Sequence, residues 1–185
     1  MTPVVLMLTL VAATPAPPEL EHPGLGHRVA GHTAFFSGLA ASAALSFGLA
    51  LLPPHASFEA TGRPEPLALA GGIALGVVTD ALLTFLVLPE LYRLGGDDVA
   101  RVDVGAVRGE MWRLARWPAL GAAAGALTLG IGAALEHQAY GRGQVAIVVG
   151  LLGVFISAGV FEVMSAIGGV HGYQLGLAAP SGGSP

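Results

Sequence analysis

Two carboxylic acids stand inside stretches of this sequence that are otherwise apolar enough to cross a membrane. Asp80 lies in LALAGGIALGVVTDALLTFLVL, and Glu162 lies in VAIVVGLLGVFISAGVFEVMSAIG. A charge near the centre of a bilayer costs at least about 2.5–3.5 kcal/mol on insertion scales, so each acid needs a partner, a proton or a functional reason. These two residues are therefore the first candidates for chemistry in the chain.

The two acids are expected at similar depths in the membrane, which makes one shared site feasible. If both chain termini face the cytoplasm, Asp80 lies roughly 12 Å and Glu162 roughly 9 Å from the cytoplasmic ends of their helices. Thr84, Ser165 and His171 are the polar residues expected to complete such a site. We therefore predict an ion or proton site at these five residues.

Three roles fit a carboxyl pair of this kind. Two nearby acids can share a proton, and they can carry protons or exchange them for a cation. With His171, their oxygens would instead suit a divalent metal ion. In the third role, each acid specifies how the helices pair, as a hydrogen-bonded group or as the partner of an arginine from residues 89–117. The residue pattern by itself favours this structural role, and the other two stay open.

The histidines and the familiar catalytic motifs add little further chemistry. His22, His27 and His32 recur at five-residue intervals, so only a flexible loop would bring them to one metal ion. HExxH, GxSxG and the phosphate-binding P-loop are absent from the sequence. Cysteine is absent too, which excludes disulfides, thiolate metal sites and cysteine nucleophiles. We expect neither enzymatic activity nor a bound cofactor.

The composition is typical of a membrane protein. Of the 185 residues, 54% are hydrophobic and only 11% are charged, whereas a soluble domain carries about 25% charged residues. The apolar stretches long enough to cross about 30 Å of hydrocarbon are residues 33–52, 67–88, 118–135 and 145–167. We predict an all-α, polytopic membrane protein with a four-span domain over residues 33–175 and a flexible tail over 176–185. A basic surface for nucleic acid is absent.

The N-terminal segment and the arginines determine the predicted topology. Residues 1–13 are a candidate signal peptide, followed by a linker rich in proline and glycine that ends at residue 32. Six of the eight arginines lie before the first span or between the second and third spans, and the positive-inside rule places that side in the cytoplasm. We predict a multi-pass protein of the bacterial inner membrane with both termini in the cytoplasm. A cleaved signal peptide would reverse this orientation.

The long connection between the second and third spans carries an amphipathic pattern. Val104, Val107, Met111 and Leu114 recur at three- to four-residue spacing. They predict one interfacial helix, at about residues 98–117, which lies on the membrane before the third span begins; a solvated loop is the alternative. The residues predicted at the membrane interface are Trp112, Trp117, Arg108, Arg113 and Arg116.

Small residues recur at four-residue spacing in the predicted spans, and they indicate how the helices pack. The first span carries Gly38, Ser42, Ser46 and Ala50, and the second carries Gly72, Gly76, Asp80 and Thr84. In lipid, such faces let helix backbones approach closely. We predict a compact antiparallel bundle of four helices, with small-residue faces that would also suit partner helices in a homo- or hetero-oligomer.

These patterns leave three hypotheses about function. The leading one is a non-enzymatic subunit or scaffold of a membrane complex, embedded in the lipid bilayer. The alternative is a small transporter, a proton- or cation-coupled carrier that uses Asp80 and Glu162. The third is a membrane redox or metal-binding protein.

Overall fold

In the computed structural model, the described part of the chain forms four long helices. They are α1 (Leu25–Thr61), α2 (Pro66–Leu91), α3 (Val104–Gln138) and α4 (Gln144–Ala178). The structure describes residues 25–63, 65–95 and 102–178, and it contains no strand in these ranges. The candidate signal peptide, residues 14–24 of the predicted linker and the residues after 178 lie outside the described part of the chain. Residues 25–32, which were predicted as linker, form the start of α1.

Each of the four helices is long and apolar enough to cross a membrane. The predicted spans fall within them, each helix extending beyond its span at one or both ends. The prediction of an all-α, multi-pass membrane protein built as a four-helix bundle is therefore confirmed.

One continuous helix covers both the predicted interfacial segment and the third span. α3 begins after Asp103, whose side chain accepts a hydrogen bond from the Gly105 N–H at 2.8 Å and so caps the helix. The helix continues through Pro118, which removes one backbone N–H without ending it. The segment predicted to lie on the membrane surface is thus the first half of α3, and residues 98–101 lie outside the described ranges.

The apolar stripe of this segment packs against α4 instead of facing lipid. Val107 and Met111 are fully buried. A methyl group added at Gly172 would collide with the backbone of Val107, and one added at Gly168 would collide with the backbone of Met111. The glycines of α4 therefore provide the close approach that draws the stripe inward, and this is why no separate surface helix forms.

The same close approach extends along the α3–α4 hairpin to its turn. Gly125 and Gly132 of α3 lie against the backbone of α4 with no room for a side chain. At the turn, the Glu136 carboxylate accepts hydrogen bonds from the N–H groups of Gly141 at 2.9 Å and Gly143 at 3.0 Å. Gly141 has a φ of 86°, a left-handed conformation that suits glycine.

α1 and α2 pack through the two small-residue faces predicted from the sequence. A methyl group added at Gly72 would overlap the carbonyl oxygen of Ala50, and one added at Gly76 would crowd the carbonyl oxygen of Ser46. Because the two helices are antiparallel, the next pair along this contact is Ser42 and Asp80. The packing of the hairpin thus brings Asp80 to the surface of α1.

An aromatic cluster, defined as His32, Phe35, Tyr92 and Tyr173, holds the arginine-rich end of the bundle together. Tyr92 stacks between Phe35 and Tyr173, with ring centroids 4.8 and 4.6 Å away. Gly169 lies directly against the Phe35 ring, which a side chain would displace. This cluster joins α1 to α4, two helices that otherwise make few contacts with each other.

Two neighbouring glycines test the α1–α2 contact. Gly72→Leu is expected to lower the free energy of unfolding by about 1–3 kcal/mol or more, since the leucine side chain would overlap backbone atoms of α1. Gly71→Leu is the matched control, because a Cβ atom added there meets no atom within 4 Å, and its effect should stay within about 0.5 kcal/mol. The measurement is unfolding by sodium dodecyl sulfate in mixed micelles, and equal effects of the two changes would contradict this packing.

Candidate functional site

Asp80 is held at the α1–α2 contact by a hydrogen bond from the opposite helix. The hydroxyl group of Ser42 donates to Oδ1 of Asp80 at 3.0 Å. Ser42 is buried, whereas Asp80 is half-buried. The glycines at 72 and 76 make this bond possible, because they let the backbones of α1 and α2 come close enough for two short side chains to meet.

Glu162 extends from α4 to the same place. Its carboxyl group lies beside that of Asp80, close enough for the two groups to interact directly. One oxygen of Glu162, Oε1, is buried and has no hydrogen-bond partner among the described residues. The structure thus brings together two acids that are 82 positions apart in the sequence.

A cavity of about 610 Å³ adjoins the carboxyl pair, and its lining residues lie in the half of the bundle away from the arginine-rich end. All four helices contribute to its wall, which is almost entirely apolar. Its polar residues are Asp80, Glu162 and Ser46. Ser46 is 7% exposed, and its hydroxyl has no partner among the residues that the structure describes.

Thr84 and Ser165 lie one helical turn beyond the acids, on the side that faces the arginine-rich end. Both side chains are fully buried, and within the described ranges neither hydroxyl has a hydrogen-bond partner. Thr84 belongs to a π-helical stretch, Leu83–Val87, which interrupts α2 just after Asp80. Such π-bulges are frequent at functional sites.

Arg108 stabilises this irregular stretch from α3. Because Pro89 has no N–H, the carbonyl of Phe85 lacks its usual α-helical donor. Nε of Arg108 donates to that carbonyl at 3.1 Å, while its guanidinium group also pairs with Glu90 at 3.1 Å. Arg108, predicted at the membrane interface, therefore serves as a bridge between α2 and α3.

The other predicted interface residues lie on the outside of α3. Trp112 and Trp117 are 54% and 67% exposed, and the guanidinium carbon of Arg116 lies 5.4 Å from the Trp117 ring centroid. Arg113 pairs with Glu110 at 2.7 Å. Within the described ranges, no arginine forms an ion pair with either acid of the carboxyl pair.

The histidines whose side chains the structure describes do not join the carboxyl pair. His171 is exposed and lies near Glu110. His32 packs edge-on against Tyr173 in the aromatic cluster, and its Nδ1 lies 2.8 Å from the carbonyl oxygen of Arg28. His22 and the side chain of His27 lie outside the described residues. In the part of the chain that is described, no three histidine, aspartate or glutamate residues come together as a metal site would require.

The aromatic cluster closes the arginine-rich end beyond Thr84 and Ser165. Tyr92 and Tyr173 are fully buried, and neither hydroxyl has a partner in the described residues. Burial raises the pKa of Tyr92 above its usual range, so this phenol stays protonated. The carboxyl pair thus lies between the cavity on one side and the aromatic cluster on the other.

Sequence analysis alone did not assign Ser42 and Ser46 to the site, nor did it find the cavity. A signal for the serines was present, since they continue the small-residue face of α1 and lie opposite the face that carries Asp80. Pairing the two faces in antiparallel order would have placed Ser42 against Asp80. The cavity had no such signal, because it depends on how far apart α1 and α4 lie.

Labelling with dicyclohexylcarbodiimide tests the state of the carboxyl pair, since this apolar reagent modifies protonated carboxyl groups in apolar surroundings. We expect it to label Asp80 or Glu162 at neutral pH, to label them less as the pH rises, and to leave Glu110 unlabelled because Arg113 pairs with it. Mass spectrometry of fragments identifies the labelled residue. Labelling of Glu110 to the same extent as Asp80 or Glu162 would contradict the described geometry. A result in which neither Asp80 nor Glu162 is labelled would also contradict it.

No protein-family model, curated protein or solved structure matches this chain. What the site does is therefore argued from its own geometry and chemistry.

Proposed function

We propose that the protein is a small membrane carrier in which the Asp80–Glu162 pair exchanges a proton for a cation. The observation that supports this proposal is the meeting of two carboxyl groups, from two different helices, at the inner end of an apolar cavity. Ionisable residues inside a membrane are costly, and they commonly mark ion paths and proton relays.

The chemistry of the exchange follows from charge. Two ionised carboxylates side by side in apolar surroundings repel each other, and either a shared proton or a bound cation relieves this repulsion. When a cation enters the cavity and pairs with the carboxylates, the shared proton is released to water. When the cation leaves, a proton returns. The same pair cannot hold both well, and this competition couples the two movements.

The arrangement of the helices supports alternating access. α1 packs closely with α2, and α3 packs most extensively with α4, whereas contacts between the two hairpins are fewer. Movement of one hairpin against the other would open the aromatic cluster and close the cavity. Because Asp80 and Glu162 belong to different hairpins, the movement would depend on whether the carboxyl pair holds a proton or a cation.

The subunit or scaffold role has less support from the described contacts. It was predicted from small-residue faces that would pack with partner helices. Glycines of these faces pack against other helices of the same chain instead, namely Gly72, Gly76, Gly125 and Gly132. Neither role needs bond-breaking chemistry, and we propose that the protein is not an enzyme. We also propose that it lies in a bacterial inner membrane with its arginine-rich end in the cytoplasm, so that the cavity lies in the outer half of the bilayer.

Proton release from liposomes tests the carrier. Purified protein is reconstituted with a pH-sensitive dye inside acidic vesicles, and sodium, potassium, tetraethylammonium or tetraphenylphosphonium chloride is added outside. At least one of these cations should make the interior more alkaline at a rate above that of empty liposomes. Asp80→Asn and Glu162→Gln should each reduce this rate to the background, because neither variant retains both carboxyl groups.

The matched control is Glu110→Gln, which removes a carboxylate that is paired with Arg113 and lies outside the site. It should exchange protons at the wild-type rate. Wild-type vesicles that respond to none of the cations would overturn the proposal, and so would acid variants that respond as the wild type does.

A further inference from the structure

We propose that the substrate of this carrier is an apolar organic cation, whose charge pairs with Asp80 and Glu162 while its apolar body fills the cavity. This inference rests on the proposed function, because it concerns the same site. It goes further by assigning a chemical class to the substrate, which distinguishes it from sodium, potassium and divalent metal ions.

The size and lining of the cavity are the first argument. Its volume of about 610 Å³ lies within the range of about 300–1,000 Å³ that is usual for sites of drug-sized molecules. A bare metal ion needs a compact shell of oxygen ligands and leaves no use for a large apolar wall. The described residues supply only a few oxygens, grouped at one end of the cavity. This division into one charged end and one apolar end matches an amphipathic cation.

Charge complementarity is the second argument. Near the pair, the described residues offer no arginine as a partner. The Ser46 hydroxyl and Oε1 of Glu162 are buried and lack hydrogen-bond partners within the described ranges, and both residues line the cavity. Such groups are costly unless something pairs with them. An ammonium group that donates hydrogen bonds would satisfy both, and a quaternary cation would satisfy the carboxylates by charge alone.

Aromatic rings at the cavity wall are the third argument. Phe47 of α1 and Phe155 of α4 line the cavity and are more than half exposed, and Phe161 lies beside Glu162. The faces of aromatic rings attract organic cations, and this attraction strengthens where water is excluded. Lipid chains would also cover an apolar wall, but they carry no positive charge for the carboxyl pair.

Binding of radiolabelled tetraphenylphosphonium tests the assignment. Equilibrium dialysis of the purified protein in detergent, corrected for empty micelles, should show saturable binding. Tetraphenylborate, which has nearly the same shape and the opposite charge, should not compete. Tetramethylammonium, which has the same charge and little apolar body, should compete only weakly. Glu162→Gln should weaken tetraphenylphosphonium binding by about tenfold or more.

A pair of glycine variants separates the cavity from the charge. Gly159 lines the cavity, and a Cβ atom added there meets no atom within 4 Å, so we expect Gly159→Phe to narrow the cavity while the helices keep their packing. It should weaken binding by about tenfold or more. Gly130→Phe is the control, because Gly130 is equally open but lies away from the cavity. It should bind as the wild type does, and both variants should elute as the wild type does in size-exclusion chromatography.

The outcomes distinguish this inference from the proposed function. Equal binding of tetraphenylborate would mean an apolar groove that recognises no charge, and it would overturn the inference. Displacement of tetraphenylphosphonium by sodium at similar concentrations, or the absence of saturable binding, would also overturn it. If small cations drive proton release while tetraphenylphosphonium does not bind, the carrier stands and its substrate class is wrong. If binding is seen without proton release, the substrate class stands and the carrier fails.

Discussion

The close approach of helix backbones at small residues is the contact on which the rest of this structure depends. Inside a membrane no hydrophobic force drives one apolar helix against another, so packing depends on van der Waals contact and on a few polar bonds. Gly72 and Gly76 bring α2 onto α1, and Gly168 and Gly172 bring α4 onto α3. Two tight hairpins result, and the first of them places Ser42 within hydrogen-bonding distance of Asp80.

The extent of tight packing also explains why the site is open. Within each hairpin, glycines leave almost no space between the helices, whereas α1 and α4 meet mainly at the aromatic cluster, where Phe35 lies on Gly169. Away from that cluster the two helices separate, and the cavity fills the space between them. The carboxyl pair lies at the boundary between the closed and open parts of the bundle.

The sequence predicted the helices, the small-residue faces and the two acids, because each depends on residues that are close along the chain. It did not predict that residues 104–117 would join the third span, since an amphipathic stripe can face either lipid or a glycine-lined helix, and only the path of α4 decides between them. The proximity of Asp80 to Glu162 was predicted from the similar depths of the two acids in the membrane, and depth alone does not fix which way a side chain faces. The exposed position of His171 and the bridge from Arg108 to Phe85 depend on helix rotation, which periodicity does not fix.

The surroundings of the two acids argue against a purely structural role for them. A structural acid in a membrane helix needs a complementary partner, and Asp80 has one in Ser42. Glu162 has another acid as its neighbour, while Arg108 and Arg113, two arginines on the facing helix, pair with Glu90 and Glu110. A glutamine at position 162 would hydrogen-bond to Asp80 without the cost of a second carboxyl group. An acid at this position gains a use when a proton or a cation comes and goes, which is the property that the proposed carrier requires.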